Sequence, residues 1–549
     1  MSDALPGFPP YARVTAASRP VALEAGTAPE AETMIIRLRP ASDRGTTLLV
    51  GLGALVPSIA ALFYFAGRRT LLGLPDAYAH LEIGRRVVAG EAPGITQLGG
   101  VMLPLPQILQ ALFAWNWTLY RTGLAGSFVS MAAFVACTVL IYKIVRVLTD
   151  YRRLPAVVGA LVFATNANAL YQQTTAMDEL TSYCFTLAAV YALVQWAATK
   201  QARYVLTASL ASMLAMLCRY ENWFLALVYV VCVVAMARRL GHSWRDVRGI
   251  GLVMALFGVA ASTGGWLLYN WLIFGSPLYF LYGPNSSADQ MAAHQSEPEI
   301  GDWPLTLHAY GVATSSDLGL LVLLAAALGL GVFLWRERFS AKSLPVLALV
   351  TVLPFYLFSL EAGEEPISVP QINGDLFNLR FGLIALLPAA ILIGYLVGTV
   401  PKSFDTPACI ASVLVLAALA TAAFAQHRVV LEAEEKQIVV TQQLPADTGA
   451  YLAAHTRGLI LLDSIDNERV AFPVLDRTVY EGTSGPHGNV WAGALADPGS
   501  ADIDVVVMRV TATDRDKVYL ALYGTAMLRA YKLVYRNADY EVYVRTTQQ

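Results

Sequence analysis

The stretch TTLLVGLGALVPSIAALFYFA, residues 46–66, decides the fold class, because it carries no charged side chain over its whole length. Wound as an α-helix, such a run is long enough to cross the roughly 30 Å hydrocarbon core of a bilayer. The whole chain shares this character: of its 549 residues, 56% are hydrophobic and only 14% are charged. A soluble protein carries about 25% charged residues. The sequence therefore predicts a polytopic α-helical membrane protein.

Further apolar runs follow the first, so we expect about eleven transmembrane helices. The stretch 100–119, GVMLPLPQILQALFAWNWTL, is also apolar, but Pro104 and Pro106 interrupt it. These prolines favour a re-entrant or interfacial helix over a further span. The predicted spans are 46–66, 124–142, 155–171, 181–198, 204–218, 222–237, 250–273, 317–335, 344–360, 380–399 and 407–425.

The basic residues predict how these spans are oriented. With the N-terminus in the cytoplasm, the inside loops collect Lys and Arg, whereas the outside loops 274–316 and 361–379 contain neither. This is the positive-inside bias, and eleven spans then place the C-terminus outside. The first outside loop, 67–123, is the exception, because it contains five arginines. Basic residues on the disfavoured side imply a separate role.

Residues 427–549 differ from the rest, because short strand-like segments replace the long apolar runs. The sequence predicts a small α/β domain here, with an amphipathic helix over 514–531. The expected organisation is a disordered cytoplasmic tail (1–45), a transmembrane catalytic domain (46–426) and an exterior α/β domain (427–549). The predicted strands are GLILLD (458–463), DIDVVVMRV (502–510), YKLVYRN (531–537) and YEVYVR (540–545).

Charge and cysteine usage exclude some classes of function. The net charge is −2, so nothing in it indicates a nucleic-acid partner. The cysteines lie in or beside apolar runs without paired spacing, which predicts neither a disulfide framework nor a metal cluster. They are Cys137, Cys184, Cys218, Cys232 and Cys409.

Charged residues recur where the predicted spans reach the outer boundary. In PDAYAHLEIGRRVVAG (75–90), Asp76 and His80 are spaced to share one face of a helix. Glu82 and Arg86 can pair on a neighbouring face in the same way. Three more groups follow: Asp178 and Glu179 in NANALYQQTTAMDEL (166–180), Arg219 and Glu221 in CRYENWF (218–224), and Asn378 and Arg380 in QINGDLFNLRFGL (371–383).

Each group taken alone also has a structural explanation. Asp76 and its neighbours suit a solvated surface helix, and Asp178 and Glu179 suit a helix N-terminus. Arg219 and Glu221 can form a simple ion pair, and Arg380 can reach lipid headgroups. Polar groups at that depth are functional by default, however, and these concentrate at one boundary of the membrane. Together they predict a cavity that holds a carboxylate and phosphate-sized positive sites.

The same stretches resemble the C-type (GT-C) glycosyltransferases, in particular the bacterial ArnT-like and dolichyl-phosphate-mannose-protein mannosyltransferase-like (family 39/83-type) subgroup. The similar segments are DAYAHLEIGRRVVAGEAPGITQLGGVMLPLPQIL, ATNANALYQQTTAMDEL, CRYENWF and FNLRFGLIALLP. The subgroup has WLPLPH, NPN, MTE and RYEGW where this chain has MLPLPQ (102–107), NAN (166–168), MDE (177–179) and RYENW (219–223). Gln107 in place of histidine weakens any metal or acid–base role at that position.

This resemblance implies a GT-C fold and an inverting sugar transfer from a polyprenyl-phosphate donor to an acceptor hydroxyl. The acceptor is an envelope glycan, lipid or protein, and the site faces the exterior of the bacterial plasma membrane. Asp76 would be the general base, with His80 holding it or touching the acceptor, and Glu179 orienting the sugar or an arginine. The implied phosphate-binding residues are Arg219 and Arg380, with Arg85 and Arg86 behind them, and the implied substrate contacts are Asp178, Glu221 and Asn378. No cofactor is expected, although the oligosaccharyltransferase branch of the superfamily uses a divalent metal.

Two other classes of function stay open at this point. A transporter or flippase of a polyprenyl-linked sugar would explain the spans and the lipid. It would not explain the long first outside loop or the exterior α/β domain, and the internally repeated halves of many transporters are not visible in the sequence. A non-catalytic partner in envelope assembly is the third class.

Overall fold

The computed structural model describes residues 43–283, 286–480, 488–511 and 515–546. Nearly all of the predicted tail, 1–45, lies outside these residues. The first half of the chain contains α1 (Arg44–Gly67), α2 (Pro75–Val88), α3 (Pro104–Ala114), α4 (Trp117–Arg121), α5 (Leu124–Leu148), α6 (Arg153–Ala164), α7 (Ala167–Gln172), α8 (Glu179–Thr199), α9 (Arg203–Met216), α10 (Glu221–Arg239), α11 (Trp244–Ala255) and α12 (Ala261–Phe274).

The second half carries further helices and then a small sheet. The helices are α13 (Tyr279–Tyr282), α14 (Ser287–His294), α15 (Trp303–Leu318), α16 (Leu320–Glu337), α17 (Leu344–Val350), α18 (Val352–Ala362), α19 (Leu386–Gly398), α20 (Asp405–Ala425), α21 (Val430–Thr441), α22 (Gln443–His455), α23 (Glu468–Ala471), α24 (Gly488–Ala496) and α25 (Lys517–Leu522). The 3₁₀ turns that matter below are Leu379–Ala385, before α19, and Phe472–Arg477, after α23.

The prediction of a polytopic α-helical membrane protein is confirmed. Every predicted span coincides with a helix, and within the described residues nine helical segments are long and apolar enough to cross a membrane. Two of the eleven predicted spans, 155–171 and 204–218, are not among these nine segments. The first breaks because the Asn166 side chain accepts a hydrogen bond from the Ala169 amide and starts a new helix, α7. The second is only 14 residues long, about 21 Å.

The interrupted apolar stretch at 100–119 forms α3 and α4, as its two prolines suggested. The 11 residues of α3 extend about 16 Å, which is too short for a span. The helix is nevertheless fixed within the bundle, since the Leu105 amide donates to the Leu217 carbonyl over 3.0 Å. Gln110 Nε2 donates to the Ala176 carbonyl over 2.7 Å. The first loop is therefore joined to the same helix ends that carry the other polar groups.

The C-terminal region contains a five-stranded mixed sheet in the order β2-β1-β3-β5-β4. Strand β1 is parallel to β2 and β3, whereas β5 is antiparallel to β3 and β4, with Val507 opposite Val542. The four predicted strands are confirmed as β1 (Leu459–Leu461), β3 (Ile503–Arg509), β4 (Tyr531–Arg536) and β5 (Tyr540–Arg545). Strand β2 (Thr478–Val479) was not predicted, because two residues are too few to show a period.

The helix predicted over 514–531 is wrong in extent. Residues 512–514 lie outside the described part, and α25 ends at Leu522. Gly524 follows with a φ of 75°, a left-handed conformation that ends a helix. A 3₁₀ turn at Met527–Ala530 then leads into β4.

One apolar core joins the first loop to the C-terminal region. Leu74, just before α2, and Ala77 and Leu81 within it belong to the same buried cluster as Phe472 and Leu475. These residues lose most of their contact with solvent, which is the main source of stability for such a contact. The helix that carries Asp76 is therefore held from the other side by residues some 390 positions later.

Candidate active site

Four of the sequence groups meet in one buried cluster of charges at the loop end of the helix bundle. Pro75 takes the first helical position of α2 and places Asp76 in the first turn. The other members come from the start of α8, the connection between α9 and α10, and the 3₁₀ turn before α19. We call the set Asp76, Asp178, Glu179, Arg219, Glu221 and Arg380 the ion cluster.

Arg219 is surrounded by three carboxylates. Its Nη1 lies 2.7 Å from Asp178 Oδ1 and 3.2 Å from Glu179 Oε1. Its Nε donates to Glu221 Oε1 over 2.8 Å. The side chain is almost buried, and these charges raise its pKa even though burial opposes this. Arg219 therefore binds the acids together and has few donors left for a ligand.

Arg380 has a different position within the ion cluster. Its Nη2 donates to Asp76 Oδ2 over 2.6 Å, and its Nε lies 3.0 Å from Glu179 Oε1. Glu179 thus contacts both arginines, and its second oxygen accepts a hydrogen bond of 2.6 Å from Gln172 Nε2. Arg380 is 9% exposed, so it contacts other protein groups and does not extend to lipid headgroups.

Among the acids of the ion cluster, Asp76 is the one that solvent reaches. Its side chain is 41% exposed, against 11% for Asp178 and 2% for both Glu179 and Glu221. Asp178 makes no capping hydrogen bond through its side chain, so helix capping does not explain it. The Arg219 guanidinium lowers the pKa of Asp178 although burial opposes it. Asp76 is therefore the carboxylate best placed to meet a substrate.

The side chain of His80 is hydrogen-bonded to Gln107 and not to Asp76, which was one of its two expected contacts. The other, contact with the acceptor, stays a prediction. The His80 Nδ1 accepts a hydrogen bond of 2.7 Å from Gln107 Nε2, which leaves the ring proton on Nε2. That Nε2 lies 3.9 Å from Asp178 Oδ2. Gln107, which stands where the resembling subgroup has histidine, thus orients His80 toward the ion cluster. His80 is placed as a neighbour of Asp178.

Asn378 supports the cluster through its backbone. It has a φ of 56°, which allows its amide and the Leu379 amide to donate to the Glu434 carboxylate over 2.7 and 3.2 Å. Its Nδ2 donates to the Pro366 carbonyl over 3.0 Å. Glu434 of α21 was not predicted, and it anchors the turn that carries Arg380. The predicted substrate contact of Asn378 stays a prediction.

Glu365 is a second carboxyl that sequence reasoning missed. It lies in the connection between α18 and the Arg380 turn, and it interacts electrostatically with Glu221 and Asp178. Burial first, and then these two acids, raise the pKa of Glu365 to about 7, against the opposing effect of Arg219 and Arg380. A carboxyl of this kind changes its charge near neutral pH.

Arg85 and Arg86 do not belong to the ion cluster. Arg85 forms a two-point ion pair with Asp476, with Nε–Oδ1 of 2.8 Å and Nη2–Oδ2 of 2.6 Å. Arg86 pairs with Glu82 at 3.2 Å, as the sequence predicted, and lies 3.6 Å from the centre of the Tyr480 ring. Arg85 is therefore engaged by Asp476 in this structure, and its implied part in binding the phosphate stays a prediction. Its partner lies 391 residues away, beyond the reach of local sequence patterns.

Within the described residues, no group of three or more His, Cys, Asp or Glu side chains is arranged to hold a metal ion. The acids of the ion cluster are instead bridged by arginines. Metal dependence stays a prediction, which chelation can test.

Three comparisons with known proteins bear on this site. Residues 108–262 match the family model described as dolichyl-phosphate-mannose-protein mannosyltransferase. That segment contains Asp178, Glu179, Arg219 and Glu221, but it is less than half of the chain. The comparison with curated proteins gives no match.

The fold is similar to two crystal structures of ArnT from Cupriavidus metallidurans. The structure bound to undecaprenyl phosphate is 14% identical with a TM-score of 0.56, and the match covers 92% of this chain and 99% of that one. The apo structure is 15% identical with a TM-score of 0.52, covering 88% and 97%. The oligosaccharyltransferase AglB of Archaeoglobus fulgidus, in complex with an inhibitory peptide and a dolichol-phosphate, is 12% identical with a TM-score of 0.49, covering 84% and 69%. The predicted GT-C fold and the resemblance to C-type glycosyltransferases are confirmed.

Proposed function

We propose that this multi-pass membrane protein is an inverting glycosyltransferase. It moves a sugar from a polyprenyl-phosphate donor to an acceptor hydroxyl at the outer face of the bacterial plasma membrane, with its N-terminus in the cytoplasm. The observation that carries the proposal is the Asp76–Arg380 pair. It combines a solvent-accessible carboxylate with a nearly buried guanidinium, 2.6 Å apart, at one end of the helix bundle. These are the two kinds of group that the reaction requires.

The chemistry assigns one part to each member of the pair. Asp76 takes the proton of the acceptor hydroxyl while the hydroxyl oxygen bonds to the anomeric carbon, a role worth typically 10²–10⁴-fold in rate. The bond between that carbon and the donor phosphate oxygen breaks, and the phosphate leaves with the bonding electrons. Arg380 stabilises the negative charge that develops there. Attack opposite to the leaving phosphate inverts the configuration of the sugar.

The other members of the ion cluster have supporting parts. Arg219 is occupied by three carboxylates, so it holds Asp178, Glu179 and Glu221 in place. Glu179 contacts both arginines and thereby fixes where Arg380 points. This shifts the phosphate-binding role from Arg219, which shared it in the sequence prediction, to Arg380.

Three observations support a lipid-linked donor. The family model that matches residues 108–262 describes a mannosyltransferase that uses dolichyl-phosphate-mannose. The similar ArnT structure holds undecaprenyl phosphate, a lipid phosphate of the same chemical class. The ion cluster lies at the ends of membrane-spanning helices, where such a lipid can place its phosphate while its tail stays in the bilayer.

The experiment that tests this function uses the purified protein in liposomes that contain a polyprenyl-phosphate sugar labelled in the sugar. A glycosyltransferase detaches the label from the lipid when acceptor is added, and the product carries the inverted anomeric configuration. A flippase would move intact labelled lipid between leaflets without breaking the bond. Translocation of intact lipid without bond cleavage would overturn the proposal.

A further inference from the structure

Arg85 connects three elements that are distant in sequence. It projects from α2, and its Nη1 donates to the carbonyls of Ala114 and Trp115, each over 2.7 Å, at the end of α3. Its remaining donors reach Asp476, in the 3₁₀ turn Phe472–Arg477 of the C-terminal region. A guanidinium that satisfies both a helix end and a two-point carboxylate is held in one geometry.

Aromatic rings enclose this contact. The Arg85 guanidinium lies 5.1 Å from the Trp117 ring centre and 5.6 Å from that of Tyr120. Tyr120 stacks on Phe472 at 4.3 Å and donates its hydroxyl to the Phe472 carbonyl over 3.1 Å. The Arg85 side chain is consequently 8% exposed. Losing its carboxylate partner would leave a nearly buried charge with less compensation.

A second arginine holds the other end of α2. Arg469 of α23 donates through Nη2 to the Gly73 carbonyl, immediately before the residue that precedes the helix. Its guanidinium also lies 4.9 Å from the ring centre of Tyr78, which packs edge-on against Phe472 at 4.8 Å. The C-terminal region therefore contacts α2 before its first turn and again in its last turn. Asp76 lies between these two contacts.

We propose that the C-terminal domain is a positioning element for sugar transfer, and that Asp476 and Arg469 act through α2 to hold Asp76 against Arg380. This inference rests on the proposed function, since it gives the positioned residue a chemical task. Arg85 becomes a positioning residue as well, in place of the phosphate-binding role that its charge suggested. The domain is thus part of the catalytic arrangement although its contacts lie outside the ion cluster.

Helix geometry gives the distance between the Arg85 contact and Asp76, the residue that it positions. Asp76 and Arg85 are nine residues apart, about 14 Å along α2. The intervening Leu81 is fully buried, so the helix moves as a unit with its neighbours. Reacting groups tolerate little displacement, and a shift of about 1 Å can cost about 10²-fold in rate. A loosened contact at Arg85 should therefore displace Asp76 and lower the rate of transfer.

The test compares three variants of the full chain in the liposome transfer assay. Asp476→Asn keeps the shape but removes the charge that Arg85 needs, and Asp476→Glu restores that charge. Asp502→Asn is the matched control, because Asp502 belongs to the same domain and its side chain is 92% exposed. We expect Asp476→Asn to lower kcat at least tenfold with an unchanged KM for the donor. We expect Asp476→Glu to recover much of that loss, and Asp502→Asn to match the parent.

Two outcomes would overturn the proposal: a kcat for Asp476→Asn within twofold of the parent, or an effect confined to the donor KM. If Asp476→Asn does not elute as a folded species, Arg469→Lys tests the other contact under the same criteria. Asp76→Asn, measured alongside, separates the two levels of inference. An inactive Asp76→Asn with a fully active Asp476→Asn contradicts the positioning role alone. An active Asp76→Asn contradicts the role of Asp76 as the base, and a parent chain that transfers no sugar contradicts the proposed function.

Discussion

The arginines predicted to bind phosphate divide into two regions with opposite character. Arg219 and Arg380 lie in the ion cluster, where the acids that surround them come mostly from helix ends in the membrane domain. Arg85 and Arg86 lie where α2 meets the C-terminal domain, against Asp476 and Tyr480. An arginine beside a predicted membrane boundary therefore indicates a specific role, but its partner decides which role. In our proposal, charge at the ion cluster serves the reaction, and charge at the domain contact serves its geometry.

The largest effect is expected from removing Arg219, the residue at the centre of the ion cluster. Arg219→Ala leaves Asp178, Glu179 and Glu221 as nearly buried carboxylates without their common partner. Breaking such a buried arrangement costs about 3–5 kcal/mol, so we expect a large loss of folded protein. Thermal unfolding monitored by size-exclusion chromatography in detergent measures it. The exposed Arg121→Ala is the control and should change stability by less than about 0.5 kcal/mol. A stable Arg219→Ala protein would mean that the ion cluster is not held by this residue.

Donor affinity should distinguish the two regions when Arg380→Ala is compared with Arg85→Ala. Arg380→Ala removes a charged contact to the leaving phosphate, worth roughly 1.5–3 kcal/mol, so donor affinity should fall about 10- to 150-fold. Arg85→Ala should leave donor affinity near the parent value while kcat falls. Binding of the lipid-phosphate donor to purified protein gives both affinities. Equal losses of donor affinity in the two variants would return Arg85 to the phosphate-binding set.

Each region also holds one carboxyl that titrates near neutral pH. The pKa of Glu365, beside the ion cluster, and that of Glu468, in the C-terminal domain, are both raised to about 7, first by burial. Between the ordinary value near 4.5 and 7, the folded protein keeps a proton that the unfolded chain has lost. Stability should therefore fall as pH rises from about 5 to 7 and level off above that. Melting temperatures at pH 5, 6, 7 and 8 measure this dependence.

The two carboxyls can be separated by substitution. Glu365→Gln and Glu468→Gln should each flatten part of the pH dependence, because glutamine does not titrate. A melting profile that keeps its full slope in the double variant would place the titrating groups elsewhere.

Removing divalent metal ions by chelation should change the transfer rate least of all these treatments. The arginines already bridge the acids of the ion cluster, so we expect transfer in the presence of EDTA to stay within about twofold of the untreated rate. Rates measured before and after chelation, and after adding Mg²⁺ or Mn²⁺, check this. A loss restored by one of these ions would assign a metal to the site.

The sequence predicted the membrane helices and the ion cluster for the same physical reason. A long apolar run can only be a span, and a charged residue at its end must find a partner there. Asp178, Glu179, Arg219, Glu221 and Arg380 all lie at such ends, so grouping them by depth was enough to bring them together. Four of the five strands of the C-terminal sheet were equally visible, because they are short runs rich in apolar, β-branched and aromatic residues.

The contacts of Arg85, His80 and Asn378 could not be predicted in this way. Each depends on a partner from a distant element: Asp476, Gln107 and Glu434 respectively. Local spacing placed His80 next to Asp76, one helical turn away, whereas tertiary packing placed it beside Gln107 and Asp178. Residues 433–437, AEEKQ, did carry a signal, since two adjacent glutamates, Glu434 and Glu435, come soon after the last predicted span, 407–425. Their position along the sequence does not show that Glu434 accepts hydrogen bonds from the turn that carries Arg380.

The role of Asp76 as the base can be measured through the turnover of Asp76→Asn together with its affinity for the donor. Asparagine keeps the size of the side chain but cannot accept the acceptor proton, so turnover should fall at least 10²-fold while the donor still binds. Asp375→Asn is the matched control, because Asp375 is an exposed acid in the loop that leads to Arg380 and should leave turnover unchanged. Transfer by Asp76→Asn at a rate near that of the parent would contradict the account and assign the base to another carboxylate.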